Sequence, residues 1–506
     1  MLNTARPIIA IGFVALVGLV APRRTLAESR DSESPGEAPT AFEAQPPRPV
    51  LDWGSGDARS LVVPAYEIPA FQLLLNRYDH AQDAATYPSP LSNLRENLHH
   101  RWVVDNDKFS TNQFLHPYQG SIYQGFARSA GLGFWEASAY TFAGSVLWEE
   151  AGENTRPSIN DQIATGIGGN FLGEPLFRIA SLLLESSPDA VPGFWRELGA
   201  AVISPALGFN RLAYGKRFDP VFRSNNPAVF TRVDVGANVS TNFSSNIKVN
   251  ADQSVPPTIQ RFNRGAGSAT FTVGYGLPGK PEYSYERPFD YFNFELVMDS
   301  ANVVESIFSR GLLYGNSYDV GKNYRGLWGV YGLYDYAAPN IFRVSSTAGA
   351  FGTTAQWWLS DDVALQGTAL AGVGYAAGGV IHGAGVTRPG PNGEGQRNYH
   401  YGVAPEAVLA LRLMWRDRAA LDATARNYYI SKVGATESTG SESLYRVDVA
   451  LTVRVHNLQA VTLRYAASSR DGRYVHQPDS HQRVSTFSLG YTLLGDGRFG
   501  AVDWRR

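Results

Sequence analysis

RVDVALTVRV, residues 446–455, decides the fold. Val447, Val449, Leu451, Val453 and Val455 fall on one side of an extended chain, and Arg446, Asp448, Ala450, Thr452 and Arg454 on the other. A helix would mix the two sets; only a strand, with its period of two, separates them. The same alternation recurs elsewhere. Thr231, Val233, Val235, Ala237 and Val239 oppose Arg232, Asp234, Gly236 and Asn238; Val461, Leu463, Tyr465 and Ala467 oppose Thr462, Arg464 and Ser468; Phe487, Leu489, Tyr491 and Leu493 oppose Thr486, Ser488, Gly490 and Thr492. About twelve such segments follow residue 218, many near the ~10 residues of a membrane-spanning strand.

A soluble sandwich also alternates. Here the charges collect on one face and leave the other almost free of them, which suits a wet interior and an apolar exterior. Short turns such as Arg416–Asp417–Arg418 and His456–Asn457 alternate with longer polar loops such as 386–399, as in outer-membrane barrels. The pattern predicts an α+β protein. Its main part is an antiparallel transmembrane β-barrel of about twelve strands over 218–506. Arg232, Asp234, Asp422, Arg426, Arg446, Asp448, Arg454 and Arg464 should face the lumen.

The rest of the chain fits export to that membrane. Arg6 followed by apolar Ile8–Val20 and then Thr25–Leu26–Ala27 reads as a signal peptide over 1–27. Residues 28–50, rich in Pro, Glu and Ser, form a linker with too little apolar surface to fold. The chain is therefore expected in the bacterial outer membrane after passage through the periplasm. Outer-membrane lipid and the barrel-assembly machinery are its expected partners. With 44 basic and 46 acidic side chains it carries no charge excess that would draw nucleic acid. It has no Cys, so it forms no disulfide, thiolate metal site or lipidated cysteine.

Residues 51–217 read as a helical domain that plugs or caps the barrel. Its apolar helices are interrupted by Glu136, Asn170, Glu174 and Arg178, too polar for spans of ~18 apolar residues. Asn170, Glu174 and Arg178 recur every four residues on one helical face, where Glu174 can pair with Arg178. Gly169 and Gly173 leave room on that helix for another backbone. Pro175 should kink or restart it. Glu149 and Glu153 lie one turn apart, and Asn160 or Asp161 reads as a helix cap or first-turn acid. In NQFLHPYQGSIYQGFARSAG, residues 112–131, His116 precedes a proline that favours an extended backbone, and Gln124 and Arg128 want acceptors such as Glu149, Glu153, Asp161 or Glu174. No phosphate loop, dinucleotide fingerprint or nucleophile elbow is present, and no second His stands at ligand spacing from His116. No cofactor or metal is expected.

NQFLHPYQGSIYQGFARSAGLGFW, AGSVLWEEAGE, PSINDQIATGIGGNFLGEPLFRIAS and SPALGFNRLAYG together resemble the uncharacterised bacterial domain-of-unknown-function family 3943, over roughly residues 100–217. The resemblance marks His116, Gly120, Arg128, Glu149, Glu153, Asn160, Asp161, Gly169 and Glu174 as motif positions and implies no activity for them. Two functions fit these residues. One is a structural or transport role for the barrel with its helical domain. The other is an envelope lipid- or glycan-modifying enzyme with His116 as general base and Glu149 or Asp161 as acid or orienter.

Overall fold

The computed structural model describes residues 59–505 apart from 85, 88, 106, 186–191, 215–223, 248–257, 381–398, 434–439 and 475–478. The expected signal peptide and linker, and all but the last residue of the loop 386–399, lie outside the described residues.

The strands are β1 (Val229–Ile247), β2 (Thr258–Tyr275), β3 (Phe292–Asp299), β4 (Ser306–Val320), β5 (Tyr324–Ala337), β6 (Phe342–Trp358), β7 (Val363–Val380), β8 (Tyr399–Trp415), β9 (Ala419–Ile430), β10 (Gly440–His456), β11 (Gln459–Tyr474) and β12 (Asp479–Leu494). Each pairs antiparallel with its sequence neighbours, and β1 closes on β12. The result is a closed twelve-stranded up-and-down barrel, which leaves no strand edge to seek a partner. Positive-φ residues Arg416 and Asn457 make two of its short turns.

Contacts across the barrel fix which face of each strand looks inward. Arg232 on β1 donates to Asp422 on β9 at 2.7 Å. Arg464 on β11 donates to Glu295 on β3 at 2.8 Å. Tyr428 on β9 donates to Asp335 on β5 at 2.5 Å. These residues, with Arg426, Arg446 and Asp448, occupy the lumen. Arg454 sits there too, at the short-turn rim, where it stacks on Phe499. Outward, Val449, Leu451, Val453, Leu463 and Tyr491 are exposed.

One mouth of this lumen is filled by the chain's own C-terminal tail. Phe499, Val502 and Trp504 pack against lumen-facing Phe230, Trp358 and Met414 at the short-turn rim. Gln356 and Val502 exchange two hydrogen bonds, at 2.6 and 2.9 Å, and the Trp504 indole donates to the Lys322 carbonyl at 2.9 Å.

The helices are α1 (Val62–Gln82), α2 (Pro90–Asn97), α3 (His116–Ser129), α4 (Phe134–Ala151), α5 (Ile159–Ile163), α6 (Gly169–Glu185), α7 (Phe194–Ile203) and α8 (Pro205–Tyr214). Wider π-helical turns at Thr111–Leu115 and Ala164–Gly168 lead into α3 and α6. The backbones of α3 and α6 meet at Gly120 and Gly169, where a Cβ on either residue would overlap the other chain.

These helices meet the barrel from outside, which corrects the expectation of a plug or cap. The parity of the strands requires it. On β5 the lumen residues are Leu327, Tyr331, Leu333 and Asp335, so Trp328, Val330, Gly332, Tyr334 and Tyr336 point outward. Trp328 and Val330 are exposed, whereas Tyr334 and Tyr336 are buried in a cluster with Phe109, Phe171 and Leu176 of the helical layer. Outward-facing Phe292, Phe294 and Leu296 on β3, and Tyr399 and Tyr401 on β8, join the same cluster. The physical reason is legible in hindsight: the lumen is already occupied by its own ion pairs and by the tail, and the apolar surface left to bury helices is the outer wall.

Two prolines show how the layers are joined. Pro175 lies inside α6, which runs through it unbroken, contrary to the expected restart. Having no N–H, Pro175 cannot bond the Phe171 carbonyl four residues back. Ser309, outward-facing on β4, donates its hydroxyl to that carbonyl at 2.6 Å. Pro117 has the same deficit, and the Gln113 carbonyl four residues before it accepts from Tyr334 at 2.7 Å. Ser309 and Tyr334 are direct cross-strand partners. His116 itself is helical (φ −62°, ψ −50°) rather than extended, because the preceding π-turn widens the backbone ahead of Pro117.

Candidate functional site

The polar side chains that the sequence singles out fall into two buried groups within the helical layer. The first forms where the π-turn before α3, the start of α5 and the outer wall of β8 converge. Ser158 is the N-cap of α5: its Oγ accepts from the Asp161 N–H at 3.2 Å. Asp161 is thus a first-turn acid, and the cap is neither Asn160 nor Asp161. The Asn160 amide donates to Asp105 at 2.8 Å, to Asp161 at 2.8 Å and to the Tyr401 hydroxyl at 3.1 Å. Asn112 donates to Asp105 at 2.6 Å and to Tyr399 at 3.1 Å, and Gln113 donates to Tyr401 at 2.6 Å. The Ser158 N–H donates to Glu149 Oε2 at 2.8 Å.

His116 stands at the edge of this group. Its Nδ1 lies 3.1 Å from Thr165 Oγ1, and its Nε2 lies 3.7 Å from Asp161 Oδ2, beyond hydrogen-bonding distance. The two side chains are 6% and 1% exposed. Burial pushes the imidazole pKa down to about 4. Burial, reinforced by Asp105 and Glu149, pushes the Asp161 carboxyl well up. Burial thus disfavours the charged form of both groups. Burial and the neighbouring Glu153 also raise Glu149, and burial with Asp107 raises Glu153 to about 8. The same burial disfavours the imidazolium that a general base at His116 would have to form.

The second group is ionic. Arg128 forms a bidentate pair with Glu174, at 2.7 and 3.0 Å. Arg178 reaches the same carboxylate at 2.8 Å and Asp290, in the segment between β2 and β3, at 2.9 Å. Gln124 adds a bond to Glu174 at 3.3 Å. Burial alone would raise the Glu174 carboxyl; Arg128 and Arg178 outweigh it and hold the pKa below the usual range. The ladder runs from α3 through α6 to the barrel.

His116, Glu149, Glu153, Asn160 and Asp161 are thus brought together, as are Arg128, Glu174 and Arg178. Asn170 belongs to neither group: its amide donates to the Gly166 carbonyl in the preceding π-turn at 2.7 Å. Sequence reasoning missed Asp105, Thr165, Tyr399 and Tyr401. The two tyrosines sit at apolar-face positions of β8, and a tyrosine there reads equally well as part of an interfacial aromatic belt. Among the described residues no cluster of His, Asp and Glu has the geometry to hold a metal ion.

Residues 101–206 match the family model described as Domain of unknown function (DUF3943), and both polar groups draw mainly on that stretch. No curated protein matches the chain. Among solved structures the chain is similar to the NanC porin (7% identity, TM-score 0.22, 50% of this chain and 98% of that one). It is also similar to a Pseudomonas aeruginosa FadL homologue (14%, 0.20, 53% and 92%) and to the translocator domain of the autotransporter NalP from Neisseria meningitidis (15%, 0.22, 51% and 88%).

Proposed function

We propose that the barrel is an outer-membrane scaffold that carries the helical domain along its outer wall, and that it is not a solute pore. The docking of the helices on outward-facing residues carries this reading: Ser309 and Tyr334 spend their hydroxyls on helix carbonyls and Tyr399 and Tyr401 on the polar group, so the wall is built to hold a second layer. The tail in the lumen mouth and the ion pairs across it support the same reading, since they occupy the path a solute would take. The apolar outward belt on β10–β12 suits the outer membrane, where lipid and the barrel-assembly machinery would be the partners of a closed barrel. An enzyme working through His116 would need substrate at a side chain that is buried and hydrogen-bonded to Thr165, beside an Asp161 that is buried as well. Single-channel recording in planar bilayers tests the scaffold. The purified protein is expected to insert without steady conductance; a stable unitary current from the unmodified chain would overturn the reading.

A further inference from the structure

The helical layer is built inside out. On α1, Val62, Tyr66, Leu73 and Leu74 are exposed, whereas Glu67, Gln72 and Asn76 are buried. On α4, Trp135 and Phe142 face outward, and Thr141, Ser145 and Glu149 face inward. On α8, Phe209 and Leu212 are exposed while Asn210 and Arg211 are buried. In water the apolar stripe of a helix turns to the core and the polar face to solvent. Three helices of one layer reverse that rule, and an apolar surround is the environment that makes the reversal favourable.

We propose that lipid acyl chains cover this outer face, so that the boundary with the membrane runs around the helices and not along the strands beneath them. The proposal rests on the barrel lying in a membrane. Three observations specify acyl chains as the occupant. The exposed helix residues continue the outward belt of the barrel, since the strand that ends under the helices, β5, is bare at Trp328 and Val330. β3, at 8 residues, is shorter than the ~9–11 of a membrane-spanning strand, and its outward Phe292, Phe294 and Leu296 are covered by helices. The carbonyls freed by Pro117 and Pro175 are given protein hydroxyls, as backbone in an anhydrous surround must be. No helix of the described residues is long and apolar enough to cross a membrane by itself. The buried Glu67, Gln72 and Asn76 lower the mean hydropathy of α1 without touching its outer face.

The chain has no cysteine, so single-cysteine variants can be labelled cleanly. Leu74→Cys, Phe142→Cys and Leu212→Cys would carry a bimane fluorophore in the full chain, reconstituted in vesicles of phosphatidylethanolamine and phosphatidylglycerol. Val449→Cys on the bare wall and Arg95→Cys on exposed α2 are the references. Phospholipid brominated on its acyl chains is expected to quench the three helix sites as strongly as Val449→Cys, with iodide quenching only Arg95→Cys. Iodide quenching at the helix sites beside bromolipid quenching at Val449→Cys would place the helices in water and overturn the proposal. Protection of the helix sites from both quenchers would mean protein covers them, and would overturn it equally. Failure of bromolipid to quench Val449→Cys would instead remove the barrel's own membrane assignment, and the proposal with it.

Discussion

β5 and β10 present the same alternation and meet different surroundings. Along β10 the outward side chains from 447 to 455 are Val447, Val449, Leu451, Val453 and Val455, all aliphatic. Along β5 the outward Trp328 and Val330 are exposed, and the outward positions that follow, Gly332, Tyr334 and Tyr336, lie beneath the helices. Gly332 gives way to the ring of Phe171, and Tyr334 donates to a helix carbonyl. The bare wall needs only to be apolar. The covered wall must also match a particular backbone, so it carries small residues and hydroxyls at defined positions. Packing against protein is specific, since close-packed interiors feel changes of a single methylene.

The largest expected effect separates the two regions. Arg128→Ala leaves Glu174 with a single guanidinium in a site that is 0% exposed, a loss of ~3–5 kcal/mol for a broken buried pair. The hydrogen bonds of Arg128 to Glu174 and to the Leu132 carbonyl lie within the helical layer. Limited trypsin digestion in vesicles should therefore cleave the helical region of the variant while the barrel keeps its heat-modifiable mobility on gels. Should the barrel unfold with the helices, the two regions form one cooperative unit and the contrast drawn here is wrong.

A smaller effect is expected on the bare side. Val449→Arg should cost ~2–4 kcal/mol if the residue lies near the membrane midplane, relative to Val449→Ala. Urea unfolding in vesicles reads the difference. Equal stabilities for the two variants would mean that this face of β10 does not meet lipid.

How much of this was legible in the sequence depends on which contact is asked about. Alternation in 446–455 reveals the strand and its wet side, because charge cannot face lipid. The Glu174–Arg178 pair follows from helical spacing alone, and Arg128 could be matched to Glu174 as one of four acids. The lateral position of the helices is not encoded in the alternation, since a residue covered by lipid and one covered by a helix are both apolar. The tail residues Phe499, Val502 and Trp504 likewise lack a period that would direct them into a lumen. Two hints were present. Tyr334 and Ser309 interrupt an apolar face with hydroxyls, and Pro117 and Pro175 leave carbonyls in search of donors; joining them requires the fold.

That junction gives the smallest and most discriminating effect. Tyr334→Phe and Ser309→Ala each remove one hydroxyl and leave the ring or the backbone in place. Each strands a buried carbonyl, that of Gln113 or of Phe171, with no N–H from the proline four residues on. A lost hydrogen bond of this kind is worth ~1 kcal/mol. Ser309 and Tyr334 are cross-strand neighbours, so their effects are expected to couple, and the double variant should expose the helical layer to amide hydrogen exchange more than either alone. Tyr491→Phe, outward-facing and exposed on β12, makes the same chemical change on the bare wall and should leave the exchange of the helices unchanged. If Tyr334→Phe behaves like Tyr491→Phe, the hydroxyl contributes nothing at the seam. The covered wall would then hold its helices by apolar contact alone, and the difference between the two sectors would be one of coverage, not of chemistry.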